Sequence, residues 1–161
     1  MALARAGTMV TITRLIAAAS LALMVRNAAA QEGAAPSSSD YARMAAKSWA
    51  AFECAALAGA ASEKAERSRL FKLGYDHGMT FLYGLSSNKI TDSDKATWVP
   101  WGFLSRIEAE SRPDFTLGRV WEAAATGALE PVMTEAGKPT LLSEWSARAS
   151  NFMRQKNCKI L

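Results

Sequence analysis

His77 is the only histidine in a chain of 161 residues, and it follows Tyr75 and Asp76 directly. A histidine beside an acid and a phenol is the raw material of general acid or base catalysis. On a helix, however, sequence neighbours point about 100° apart, so Asp76 is badly placed to orient His77. A catalytic His77 would need Tyr75, Arg119 or a carboxylate from another helix beside it. That defines one reading of the chain, a small envelope hydrolase. The commoner fate of a lone histidine on an apolar helix face is a structural one. Metal chemistry has less support still. There is no second histidine and no H-E-x-x-H pattern, and the two cysteines, Cys54 and Cys158, are expected to pair with each other. The sequence therefore predicts no metal site and no cofactor.

The remaining reactive residues point in no single direction. The carboxylate pairs Asp92/Asp94, Glu108/Glu110 and Asp114/Glu122 lack the apolar surroundings and spacing of a glycosidase acid and base. Solvation and helix starts account for them. Arg119 and Glu122 are three residues apart, which predicts a local ion pair. There is no G-x-S-x-G elbow and no glycine-rich phosphate loop. Trp98 and Trp101 flank Pro100. Two indoles on a rigid turn could line a groove for a partner, or cover one end of a bundle, which is the commoner use. Gly74 and Gly78 lie one turn apart inside an expected helix, where each costs about 1 kcal/mol relative to alanine. A close crossing by another helix is the usual reason. A ligand approaching the backbone beside Tyr75 is the rarer one.

The start of the chain reads as an export signal. Arg5 and Arg14 precede the apolar run Leu15 to Val25, and Ala28-Ala29-Ala30 offers a small-residue cleavage site. The run is shorter than the roughly 20 residues a membrane span needs. Cleavage after Ala30 is expected, with either Met1 or Met9 as the start; an uncleaved anchor flanked by Arg26 is the alternative. The whole chain carries a net charge of +4, with 19 basic and 15 acidic residues. Loss of Arg5, Arg14 and Arg26 leaves 16 basic residues against the same 15, a charge of +1. The basic balance belongs mostly to the signal, so no nucleic-acid partner is expected. No stable membrane span should persist after cleavage.

Downstream, residues 31–39 read as a flexible leader and 40–161 as one helical domain. The patterning predicts helices from Asp40 to Ala61, with Asp40 as N-cap, and from Ser62 to Ser86, with Ser62 as N-cap. Thr91 and Asp92 should cap a short helix ending at Thr97. A helix from Pro100 to Glu110 follows, and then one from Pro113 that Gly127 can end. A loop with a turn at Gly137 leads to a last helix over Thr140–Lys156, striped by Leu141, Leu142, Trp145, Ala149, Phe152 and Met153. No alternating run is long enough for a strand. The expected fold class is all-α, an irregular bundle of four main helices plus a short one. In an oxidising compartment Cys54 and Cys158 should form one staple.

Phe71-x-x-Gly74-Tyr75-x-x-Gly78, the Pro113–Ala123 stretch P-x-F-x-x-G-R-x-x-E-A and the late Cys158 resemble small exported helical proteins of proteobacteria. The Gly-Tyr-x-x-Gly element is also similar to the Rap1a/Tai family of periplasmic immunity proteins, although that family carries more cysteines. The similarity covers about half of the expected mature chain. It implies a periplasmic or secreted protein that binds a protein partner in the cell envelope and catalyses nothing. A structural envelope component without a ligand is a further alternative.

Overall fold

The computed structural model describes residues 35–108 and 111–161. The expected export signal, the first part of the leader and Glu110 lie outside the described residues. Four long helices carry the fold: α1 (Ser38–Ala60), α2 (Lys64–Ser86), α5 (Pro113–Met133) and α6 (Trp145–Gln155). Two short helices, α3 (Asp92–Trp98) and α4 (Trp101–Leu104), lie between α2 and α5. The fold is all-α, as the patterning predicts. Among the described residues the strand content is a minimal antiparallel hairpin, Thr134–Glu135 against Lys138–Pro139. Its turn places Ala136 and Gly137 at positive φ, 49° and 75°, the primed geometry in which glycine is favoured. Among the described residues no helix is long and apolar enough to cross a membrane.

Local chemistry sets the helix ends. Ser37, not Asp40, is the N-cap of α1. Ser37 Oγ accepts from the Asp40 N–H at 3.2 Å, and the Asp40 carboxylate accepts from the Ser37 N–H at 2.9 Å. This reciprocal capping box contributes about 1 kcal/mol, and the bonds from Ser37 hold the Asp40 carboxyl below its usual range. Ser62 does not cap α2 either. It sits at φ 65° in the reversal between α1 and α2. Glu63 and Ser62 return their N–H groups to the Ala58 and Gly59 carbonyls there, satisfying the last turn of α1. Thr91 caps α3 as expected, accepting from the Asp94 N–H at 3.2 Å.

The second half departs further from the expected boundaries. Instead of reaching Glu110, α4 ends at Leu104 and unwinds through i,i+3 turns at Arg106 and Ile107. Phe103, inside α4, is buried against Phe81, edge to face with centroids 5.0 Å apart. Gly127 does not end α5. The helix runs on through Pro131 because Ala128 and Val132 are buried in the core. Proline deletes the N–H that the Gly127 carbonyl would accept and crowds that carbonyl. Thr140 cannot start α6, because its N–H and hydroxyl are tied to the Met133 and Val132 carbonyls, both at 2.8 Å. Leu141 and Leu142 are consequently exposed and do not belong to the α6 stripe.

Two apolar clusters form the core. One gathers Leu57, Leu70, Val132, Ala149 and Met153 around Cys54 and Cys158. The other packs Phe52, Phe81, Phe103, Leu117 and Val120 between α1, α2, α4 and α5. Trp121 touches both clusters. The Cys54–Cys158 disulfide is present, its Cα atoms 5.5 Å apart, and spans 104 residues of sequence.

Candidate functional site

Gly74 and Gly78 are accounted for by helix crossing. A Cβ on Gly74 would lie 2.6 Å from the Phe52 ring, and one on Gly78 would lie 2.5 Å from Leu117 and 2.9 Å from Ser48 Oγ. The fully buried Ser48 donates its hydroxyl to the Gly74 carbonyl at 2.7 Å. The two glycines therefore let α1 and α5 approach α2 closely, and no room for a ligand remains above either. Tyr75, between them in sequence, is turned outward and partly exposed, as is Phe71 one turn earlier. Phe71 packs edge-on against Trp121, with centroids 5.1 Å apart.

His77 is half-buried on the same helix. Burial lowers its pKa below the ordinary value, the nearby Lys47 adds to the effect, and Asp76 opposes it. Its imidazole is therefore neutral at pH 7. Asp76 is engaged by Lys72 at 2.6 Å, and Thr80 donates its hydroxyl to the Asp76 carbonyl. Among the described residues no hydroxyl, carboxylate or guanidinium is hydrogen-bonded to His77, so the nucleophile or orienting group of a hydrolase is not assembled around it. No group of three or more His, Cys, Asp and Glu side chains comes together among the described residues.

Arg119 does not pair with Glu122. It reaches out of α5 to Glu108, on the segment that leads into that helix. Arg112 holds Asp114 at 2.9 Å and keeps that carboxyl ionised well down in pH. Asp92 is bound by Lys95, whereas Asp94 accepts from Ser38 and Thr91 and ties α3 to the start of α1. None of the described carboxylates is paired with another for acid–base work.

The two tryptophans beside Pro100 separate. Trp98 is half-buried against the second core cluster, and the Arg43 guanidinium stacks 3.4 Å from its ring centroid. It covers one end of the bundle. Trp101 is 79% exposed. The turn that carries it is nevertheless packed down: Gly102 sits directly on the Trp49 indole, and Phe103 is fully buried. Trp101 is thus a large, nearly bare indole on a packed turn, the kind of residue that anchors protein interfaces.

Sequence reasoning missed a second surface. The outer face of α5 floors a broad concavity of about 720 Å³, lined by Arg112, Asp114, Phe115, Gly118, Arg119 and Glu122. Phe115 is 58% exposed there. The signal was legible as a second stripe, Phe115, Gly118 and Glu122, running beside the buried stripe Leu117, Val120 and Ala124. No family model matches the chain, nor does any curated protein or solved structure.

Proposed function

We propose that this chain is an exported protein that binds a protein partner in the periplasm or outside the cell, in the manner of an inhibitor or immunity factor. Trp101 is the anchor of that contact. The observation that carries the reading is the pairing of an exposed indole with a backbone packed tightly on Trp49 and the buried Phe103 beneath it. Side-chain area is offered to solvent at little further entropic cost on binding. The Leu15–Val25 run with its A-x-A site supports export, and the disulfide suits an oxidising compartment. The isolated state of His77 gives the hydrolase reading no comparable support. The Gly-Tyr-x-x-Gly likeness to immunity proteins agrees with a binding role, although both of its glycines serve internal packing.

The test has two arms. Intact mass of protein isolated from the cell envelope should show Gln31 as the first residue and a loss of two hydrogens for the disulfide. Affinity capture from envelope extract should recover a partner that Trp101→Ala loses by at least about tenfold, with an unchanged melting temperature. Equal recovery by both proteins would remove Trp101 from the interface, and a cytoplasmic product retaining Met1 would end the export reading.

A further inference from the structure

The Arg43 guanidinium carbon stands 3.4 Å from the Trp98 ring centroid. That is the contact distance of two planes, so the guanidinium lies flat on the indole. Its face is occupied, while the edge that carries its five N–H donors points elsewhere. Arg43 is exposed and enters no ion pair among the described residues. The acid one turn earlier on α1, Asp40, is already engaged. Its carboxylate accepts from the Ser37 N–H at 2.9 Å and the Ser37 hydroxyl at 2.6 Å. Lys47, one turn later, is also exposed and also outside those ion pairs. Stacking confines the long arginine side chain, so less conformational freedom remains to be lost on binding. The same helix supports Trp101, because Trp49 lies under Gly102. Arg43 and Trp49 are about 9 Å apart along α1.

We propose that Arg43 is the second anchor of the Trp101 contact, and that the partner protein meets it with an aspartate or glutamate carboxylate. This rests on the Trp101 reading and adds the chemistry of the other side. Trp98 and Trp101 are three residues apart, so their Cα atoms stand within about 11 Å of each other. The partner's acid therefore lies about that far from the recess that takes the indole. The two oxygens of a planar carboxylate match the edge of a guanidinium and form two parallel N–H···O bonds with it. Lys47 adds a second positive charge on the same exposed strip of α1, which draws acidic surfaces and repels basic ones. An anionic lipid surface would also attract this charge. That attraction needs no direction, whereas a guanidinium laid flat with its edge outward supplies one, and a side-chain acid uses it.

Capped hexaglutamate is the probe, with capped hexaglutamine as its neutral counterpart. Titrated into the oxidised chain at low salt, hexaglutamate should shift the Arg43 Nε–H resonance saturably at millimolar concentration, and hexaglutamine should not. Arg43→Lys keeps the charge and removes the planar edge. Followed through the Trp98 indole N–H, it should weaken hexaglutamate binding at least about threefold. Trp101→Ala should leave that binding unchanged, because the probe has no apolar anchor, so this arm is decided apart from the Trp101 reading. Where Trp101→Ala loses the captured envelope partner, Arg43→Lys should lose it at least about threefold as well. Full recovery by Arg43→Lys there overturns the proposal and leaves the Trp101 reading intact. So does the absence of any hexaglutamate shift, or equal hexaglutamate binding by the parent and Arg43→Lys. Arg43-dependent binding to phosphatidylglycerol vesicles without a hexaglutamate response would assign the site to a lipid surface and overturn it too.

Discussion

His77 shows how far a residue's type can mislead when its surroundings are unknown. Its position after Tyr75 and Asp76 looks catalytic on paper, yet the helix turns those neighbours away and, among the described residues, no other element brings a hydrogen-bonding partner to the ring. What remains is a thermodynamic role. Burial and Lys47 lower its pKa, so the unfolded chain binds a proton before the folded chain does as pH falls. Stability linked to His77 is complete above its unfolded pKa of about 6.5 and is lost as pH drops from there toward the lower folded value. The melting temperature should therefore fall between about pH 7.5 and pH 5.5, and His77→Gln should flatten that slope. An equally steep slope in the variant would assign the effect to other groups. At this scale the sequence revealed the outlying costs, such as Gly74 and Gly78, because an unfavourable residue asks for a reason. It concealed Arg119–Glu108, because a partner eleven positions away depends on a turn that no local rule specifies.

The helices themselves were largely legible, their ends less so. Apolar periodicity placed α1, α2 and the start of α5 within a few residues. Ser37 is hard to see as a cap because the polar run around it reads as linker, although Ser37 and Asp40 have the spacing of a capping box. The longer α5 was hidden by Gly127 and Pro131, two residues that end helices when burial does not oppose them. Ala128 and Val132 supply that opposition. The packing of α1 and α5 on α2 rests on the two bare backbone positions. Gly78→Ala should destabilise the protein by about 1–3 kcal/mol, because the added methyl must displace the buried Leu117 and Ser48. Chemical denaturation would measure this, and a loss below about 0.5 kcal/mol, typical of surface positions, would mean that the crossing is looser than its geometry.

For the molecule as a whole, the pairing of Cys54 with Cys158 could be anticipated from their number and the expected compartment, while the two-part core around Trp121 could not. Trp121 falls on the same stripe as Leu117 and Ala124, but nothing within one helix shows that its indole reaches both clusters. Replacing both cysteines by alanine should lower unfolding free energy by about 4–5 kcal/mol, the entropy of closing so long a loop. Both sulfurs are almost wholly buried. Reductant should therefore open the bond only as fast as the native state opens, and rapid reduction without denaturant would contradict the packing around it. The length of the span also sets a clock. At about 5–20 residues per second, a ribosome needs roughly 5–20 s to travel the 104 positions between the two cysteines. Throughout that interval α1 holds a solitary thiol. The covalent link can therefore close only once nearly the whole chain has been made.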